Sequence, residues 1–149
     1  MNDEPQAAQD LREHIDRFDH VSIAVVNIQA SSRLIALMSG QRTDGGRSPD
    51  AGFAWEQYAL PGGGTLELIA AVDTSPDHFI RRFIKERGEG LHHLTFKVHD
   101  IHAAVAAAEE LGFTVTGLDV SHENWKEAFV HPKSAHGVLI QLAEFPEKE

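Results

Sequence analysis

DHVSIAVVNI (residues 19–28) and HHLTFKVHDI (92–101) follow one pattern at an offset of 92 − 19 = 73 residues. His20 falls on His93, Val21 on Leu94, Ser22 on Thr95, Ile23 on Phe96 and Ile28 on Ile101. Each stretch alternates apolar and polar residues, the signature of a strand with one face on a helix layer. Each then meets a helix-capping residue, Asn27 or Asp100. At an offset of 74, TLEL (65–68) falls on LIQL (139–142), which pairs Glu67 with Gln141. A repeat that matches at both ends implies two tandem copies of one β-α-β-β-(β) module and an α+β fold class.

Working outward, residues 1–17 read as a short amphipathic lead-in helix, with Leu11, Ile15 and Phe18 on one side. The domain then runs over 18–145, with module one at about 18–73 and module two at about 91–145. In module one, Asp19–Val26 is a strand and Asn27 caps a helix to about Met38, while 41–51 (QRTDGGRSPDA) has the composition of a loop. Strands at Phe53–Leu60 and Thr65–Val72 flank the turn PGGG (61–64). Ser75-Pro76 reads as a helix start, and Phe79, Ile80, Phe83 and Ile84 form a helical stripe up to Gly88. Module two has a strand over Leu91–Val98, a helix from Asp100 to Leu111, and strands over Phe113–Leu118, Lys126–His131 and Val138–Phe145.

Composition narrows the function. A net charge of −10 over 149 residues, with no dense basic run, excludes a nucleic-acid or anionic-membrane surface as the main role. The absence of cysteine removes disulfides, thiolate nucleophiles and zinc-thiolate sites. No stretch approaches the roughly 20 apolar residues of a membrane span, and the N-terminus has no apolar leader, so a cytoplasmic protein is expected. Ten histidines make an imidazole site worth seeking. They also make chance placements common.

Alternation sorts the candidates by face. Val21, Ile23 and Val25 point to the helices, so His20 points away from them; Leu94, Phe96 and Val98 sort His93 likewise. The same parity takes Glu67 and Gln141 off the helix side. If the modules sit side by side, two imidazoles, one carboxylate and one amide converge. That nitrogen and oxygen donor set suits one divalent ion such as Co, Ni, Mn or Zn, with positions open for water or substrate. Taken singly, His20 or His93 reads as a structural histidine before a ligand, and Gln141 reads equally as an ordinary hydrogen-bonding amide. His92 sorts to the packed side. Arg81, Arg82, Lys85 and Arg87 read as a solvated helix face.

GEGLHHLTFKVHDI (88–101), FVHPKSAHGVLIQL (129–142), FDHVSIAV (18–25), TLELI (65–69) and SPDHFIRRFIKERGEG (75–90) together resemble the methylmalonyl-CoA epimerases of the vicinal oxygen chelate (glyoxalase/bleomycin resistance/dioxygenase) superfamily. The resemblance implies two β-α-β-β-β modules forming a half-open barrel around a metal held by His20, Glu67, His93 and Gln141. The last of these stands where the family usually has a glutamate. An amide ligates through its oxygen but takes no proton at neutral pH. The resemblance further implies a 2-substituted malonyl-type acyl-CoA substrate, an enolate stabilised by the metal, and Glu67 or Glu56 as the group removing the α-proton. SHENWKEA (121–128) replaces a glycine-rich loop, and its Trp125 either lines a pocket or closes the core. Lys133 either positions an anionic substrate group or sits on a solvated turn. Rival readings are a glyoxalase-like lyase acting on a thiol adduct and a metal-free, resistance-type small-molecule binder. A homodimer is the default assembly.

Overall fold

Gln6–His14 forms α1 and Ile15–Ala24 forms β1 in the computed structural model, which describes residues 5–48 and 50–147. The chain divides into two compact units, one of residues 20–92 and one of the chain up to Asp19 with everything from His93 onward.

In the unit spanning 20–92, β1 leads through a 3-10 turn (Ile28–Ser31) into α2 (Ser32–Leu37), and Asn27 Oδ1 accepts the Gln29 N–H at 2.9 Å. Next come β2 (Gln41–Ser48), β3 (Phe53–Ala59), β4 (Thr65–Ala71) and α3 (Phe79–Arg87). The strand order is β2-β3-β4-β1, antiparallel except for the parallel pair of β1 with β4. Val21, Ile23, Val25, Leu66 and Leu68 pack against Ile28, Ile35 and Met38. Leu66 and Leu68 are fully buried, a stabilisation of about 1.5–3 kcal/mol each. On the other sheet face Ala24, Ile69, Phe53 and Trp55 meet Ile80, Phe83 and Ile84 of α3. Helices therefore cover both faces of this unit, whereas alternation alone placed them on one side.

Three sequence expectations need correction here. Residues 15–17, expected in the lead-in helix, instead open β1; residues 1–4 of that expected helix lie outside the described residues. The 41–51 stretch is not loop throughout: residues 41–48 are β2, held by register pairing from Gln41↔Ala59 to Ser48↔Phe53. Its glycines have a packing reason, because a Cβ on Gly46 would lie 3.1 Å from the Trp55 ring. The helix also does not start at Ser75-Pro76. α3 starts after His78, whose Nδ1 accepts the Ile80 N–H at 3.2 Å while Nε2 lies 2.6 Å from the Ala51 carbonyl oxygen.

The second unit contains β5 (Gly90–Val98) from His93 onward, α4 (Ile101–Glu110), β6 (Val115–His122), β7 (Trp125–Val130) and β8 (Ile140–Glu144). Its order, β5-β8-β7-β6, repeats the first, again with one parallel pair, β5 with β8. Asp100 caps α4 as the sequence indicates, accepting the Ala103 N–H at 3.1 Å. Val98, Ala128, Val130 and Leu142 pack on Ile101 and Ala104, and Leu11 and Ile15 join this core. Each module has the element order β-α-β-β-β. The α+β, two-module fold with a short N-terminal helix is thus present.

Candidate metal centre

In the unit of residues 20–92 the polar face is organised around Glu67. Parallel pairing sets Ser22 of β1 directly opposite Glu67 of β4, and antiparallel pairing sets Gln57 of β3 on its other side. In-register neighbours share a sheet face, so their side chains meet. The Ser22 hydroxyl donates to Glu67 Oε1 at 2.7 Å, and Gln57 Nε2 donates to Oε2 at 2.9 Å. His20, on the same face as Ser22, is 1% exposed, and its Nε2 lies 3.4 Å from Glu67 Oε1. Burial alone would raise the pKa of Glu67. The hydrogen bond and charge of His20, with the hydrogen bonds from Ser22 and Gln57, outweigh it and hold the carboxyl below its ordinary value.

This pair passes a chemical test for a divalent ion. Ligand atoms each about 2.0–2.2 Å from one ion lie roughly 3.0–3.5 Å apart in octahedral or tetrahedral arrays. The 3.4 Å separation of His20 Nε2 and Glu67 Oε1 falls in that interval. The ligand oxygen is oriented by Ser22 and the opposite oxygen by Gln57, the support that metal-binding carboxylates require.

The second unit carries the counterpart. Thr95 of β5 lies opposite Gln141 of β8 in the same parallel register, and its hydroxyl donates to Gln141 Oε1 at 2.7 Å. Gln141 Nε2 donates to Glu127 Oε2 at 2.9 Å, and Thr95 and Gln141 are 0% and 7% exposed. His93, half-buried, stands two residues before Thr95 on the same strand face.

The remaining expected residues fall as follows. Glu56 belongs elsewhere: it is adjacent to Gln57 on β3, so it points to the opposite face, where it bonds the Tyr58 hydroxyl and lies 3.5 Å from Arg42 Nε. Asp44 of β2 is the carboxylate in register with Gln57 on the Glu67 face. Trp125 shares the face of Glu127 on β7 and stacks on Phe145, ring centres 5.0 Å apart. Lys133 is exposed on a 3-10 turn, where its N–H donates to His131 Nδ1 at 3.1 Å. His92 packs edge-on against Phe83, and burial, helped by Arg87, lowers its pKa. Sequence reasoning missed the contacts of Ser22, Thr95, Gln57 and Glu127 and the placement of Asp44. For the two hydroxyls the signal was available, since Ser22 and Thr95 are matched in the repeat.

Residues 19–129 match the superfamily described as Glyoxalase/Bleomycin resistance protein/Dioxygenase. The chain belongs to that superfamily. It is 30% identical over 134 residues to the mitochondrial methylmalonyl-CoA epimerase of Dictyostelium discoideum, covering 87% of this chain and 79% of that protein. With the ethylmalonyl-CoA/methylmalonyl-CoA epimerase of Cereibacter sphaeroides it shares 29% over 136 residues, 87% of this chain and 98% of that one. Among solved structures, methylmalonyl-CoA epimerase from Mycobacterium tuberculosis superposes with a TM-score of 0.77 at 27% identity, covering 91% of each chain. These likenesses support an epimerase-like member of the vicinal oxygen chelate fold. No helix among the described residues is long and apolar enough to cross a membrane.

Proposed function

We propose that this chain is a divalent-metal-dependent epimerase of 2-substituted malonyl-type acyl-CoA thioesters. The observation that carries the reading is the buried His20–Glu67 pair, spaced as two ligands of one ion and braced by Ser22 and Gln57. His20, Glu67 and His93 each offer a ligand atom, and Gln141 adds an amide oxygen as the fourth in this proposal. The ion supplies Lewis-acid stabilisation of the negative charge that grows on a carbonyl oxygen when the α-proton leaves. Both oxygens of Glu67 already accept hydrogen bonds, so Glu67 serves as ligand. The proton passes instead to a carboxylate on the same face, Asp44, and a second group returns a proton to the opposite face of the enolate, as inversion at the α-carbon requires. Trp125, on the Glu127 face, borders the substrate. The assembly is a cytoplasmic homodimer, checked by light-scattering mass.

The test uses untagged protein, because added histidines would bind metal themselves. Elemental mass spectrometry should find about one ion per chain, with the His93→Ala variant depleted. In D2O, cobalt-loaded protein should wash deuterium into the α-carbon of methylmalonyl-CoA, and His93→Ala should slow this by at least about a hundredfold. Loaded protein that exchanges no α-proton overturns the epimerase reading and favours a thiol-adduct lyase. Protein that takes up no ion from Co, Ni, Mn or Zn overturns the metal reading altogether and favours the small-molecule binder.

A further inference from the structure

We propose that Glu127 fixes which end of the Gln141 amide is offered for ligation, so that each module carries a carboxylate–amide couple with the charge on opposite members. This rests on the metal-centre reading above. A primary amide has two chemically opposite ends, and only the oxygen ligates a cation. Gln141 is 7% exposed, so water does not select between them. An ionised carboxylate only accepts, so the end of Gln141 that lies 2.9 Å from Glu127 Oε2 has to be the NH2 group. That leaves Oε1 beside the Thr95 hydroxyl at 2.7 Å.

The first module shows why this orientation matters. There the oxygen that accepts the Ser22 hydroxyl at 2.7 Å is the one lying 3.4 Å from the His20 nitrogen, while Gln57 holds the other oxygen at 2.9 Å. In both modules the hydroxyl-bonded oxygen is thus the ligand candidate, and the other end of the group is tied to a neighbouring strand. The tie itself is built differently. Gln57 sits directly opposite Glu67, whereas Phe129 sits opposite Gln141 and Glu127 reaches it diagonally from the position opposite Ala143. By register that position matches Trp55, which lies opposite Ile69 in module one. Glu127 is therefore no copy of Gln57. It is a separate carboxylate placed where Gln141 needs an acceptor, and without it the amide has no reason to keep its nitrogen turned away.

Nitrogen-15 spectra of the full chain and cobalt titration test this together. In the wild type, the Gln141 side-chain amide protons should resonate downfield and exchange slowly, as bonds to a carboxylate do. Glu127→Leu should abolish that signature and weaken cobalt binding by about 10–100-fold. Glu127→Gln keeps the shape but accepts either end of Gln141, so it should weaken binding in the same direction. Gln141→Glu alone sets two acceptors face to face and should also bind weakly. The double variant Glu127→Gln with Gln141→Glu recreates the Glu67–Gln57 chemistry and should return to within about threefold of wild type. Cobalt bound equally by wild type and both Glu127 variants overturns the proposal and leaves the metal centre standing. So does a double variant no tighter than its weaker single parent. A wild-type chain that binds no cobalt overturns the proposal and the metal reading together.

Discussion

Replacing Ser22 by alanine removes one hydroxyl from a fully buried position and tests the energetics of the Glu67 group directly. The lost bond is 2.7 Å long and ends on a carboxylate held below its ordinary pKa. Hydrogen bonds to charged groups contribute about 1.5–3 kcal/mol, so Ser22→Ala should destabilise the protein by about 2 kcal/mol at neutral pH. The volume removed is one oxygen atom, which keeps any cavity contribution small. With a urea slope of about 2 kcal/mol/M, the unfolding midpoint should fall by about 1 M. The sign with pH is fixed by the depressed pKa. Stabilisation of this kind is present above the unfolded value of 4.5 and disappears as the pH falls through the folded one. The gap between wild type and variant should therefore be full at neutral pH and narrow in acid. Ser22→Thr retains the hydroxyl, as Thr95 does at the matching position, and should recover most of the loss. An unchanged midpoint at neutral pH, or a gap of equal size after acidification, would refute the account of Glu67 as an anion braced by Ser22.

Other consequences are open to direct measurement. Tyr58 is the one tyrosine in the sequence, and burial first, then the hydrogen bond and charge of Glu56, push its pKa up to about 12. Its phenolate absorbance should thus appear well above pH 10, and Glu56→Gln should lower that titration; a raised acid pKa of this kind stabilises fully below 10 and fades as the pH climbs toward 12. Lys97 and Arg17 hold Glu147 down to a pKa of about 2. Glu147→Gln should lower the melting temperature at neutral pH, and the difference should shrink as the pH drops from 4.5 toward 2; a difference that persists in acid rules the ion pairs out as its source. Leu68→Ala, at a position with no solvent exposure, should cost about 2–5 kcal/mol in urea unfolding, and a loss under about 1 kcal/mol would contradict the packing described.

Much of this was legible in the chain. The 73-residue repeat pointed to two modules of one kind, and strand parity put His20 and Glu67 on the face opposite Val21, Ile23, Leu66 and Leu68; that α3 covers this same face through Ala24 and Ile69 was not legible. What stayed hidden depends on register. Nothing local says that Gln57 lies opposite Glu67, or that Glu127 reaches Gln141 diagonally, because these pairs are set by how separate strands align. Asp44 was masked by its own neighbourhood: Gly45, Gly46 and Asp50 mimic loop composition, and only pairing with β3 makes the segment a strand. The facing of Glu56 was hidden for a related reason. Its one-residue offset from Gln57 turns it toward Tyr58, and a period of two converts such a slip into the opposite face.

The parallel pairing of the first strand with the last in each module bears on the order in which the protein assembles. Hairpins such as β3–β4 close over a few residues. Ser22 and Glu67 are 45 residues apart, and Thr95 and Gln141 are 46. Contacts across such separations must absorb the entropy of closing a long loop, so they form late. On a ribosome, the carboxylate of Glu67 emerges only after everything between it and Ser22 has been made. The polar groups proposed to hold the ion are thus among the last in their modules to find their partners. A module that misaligns its strands would lack a ligand pair as well as a sheet, which makes cobalt uptake during refolding a kinetic reporter of correct register.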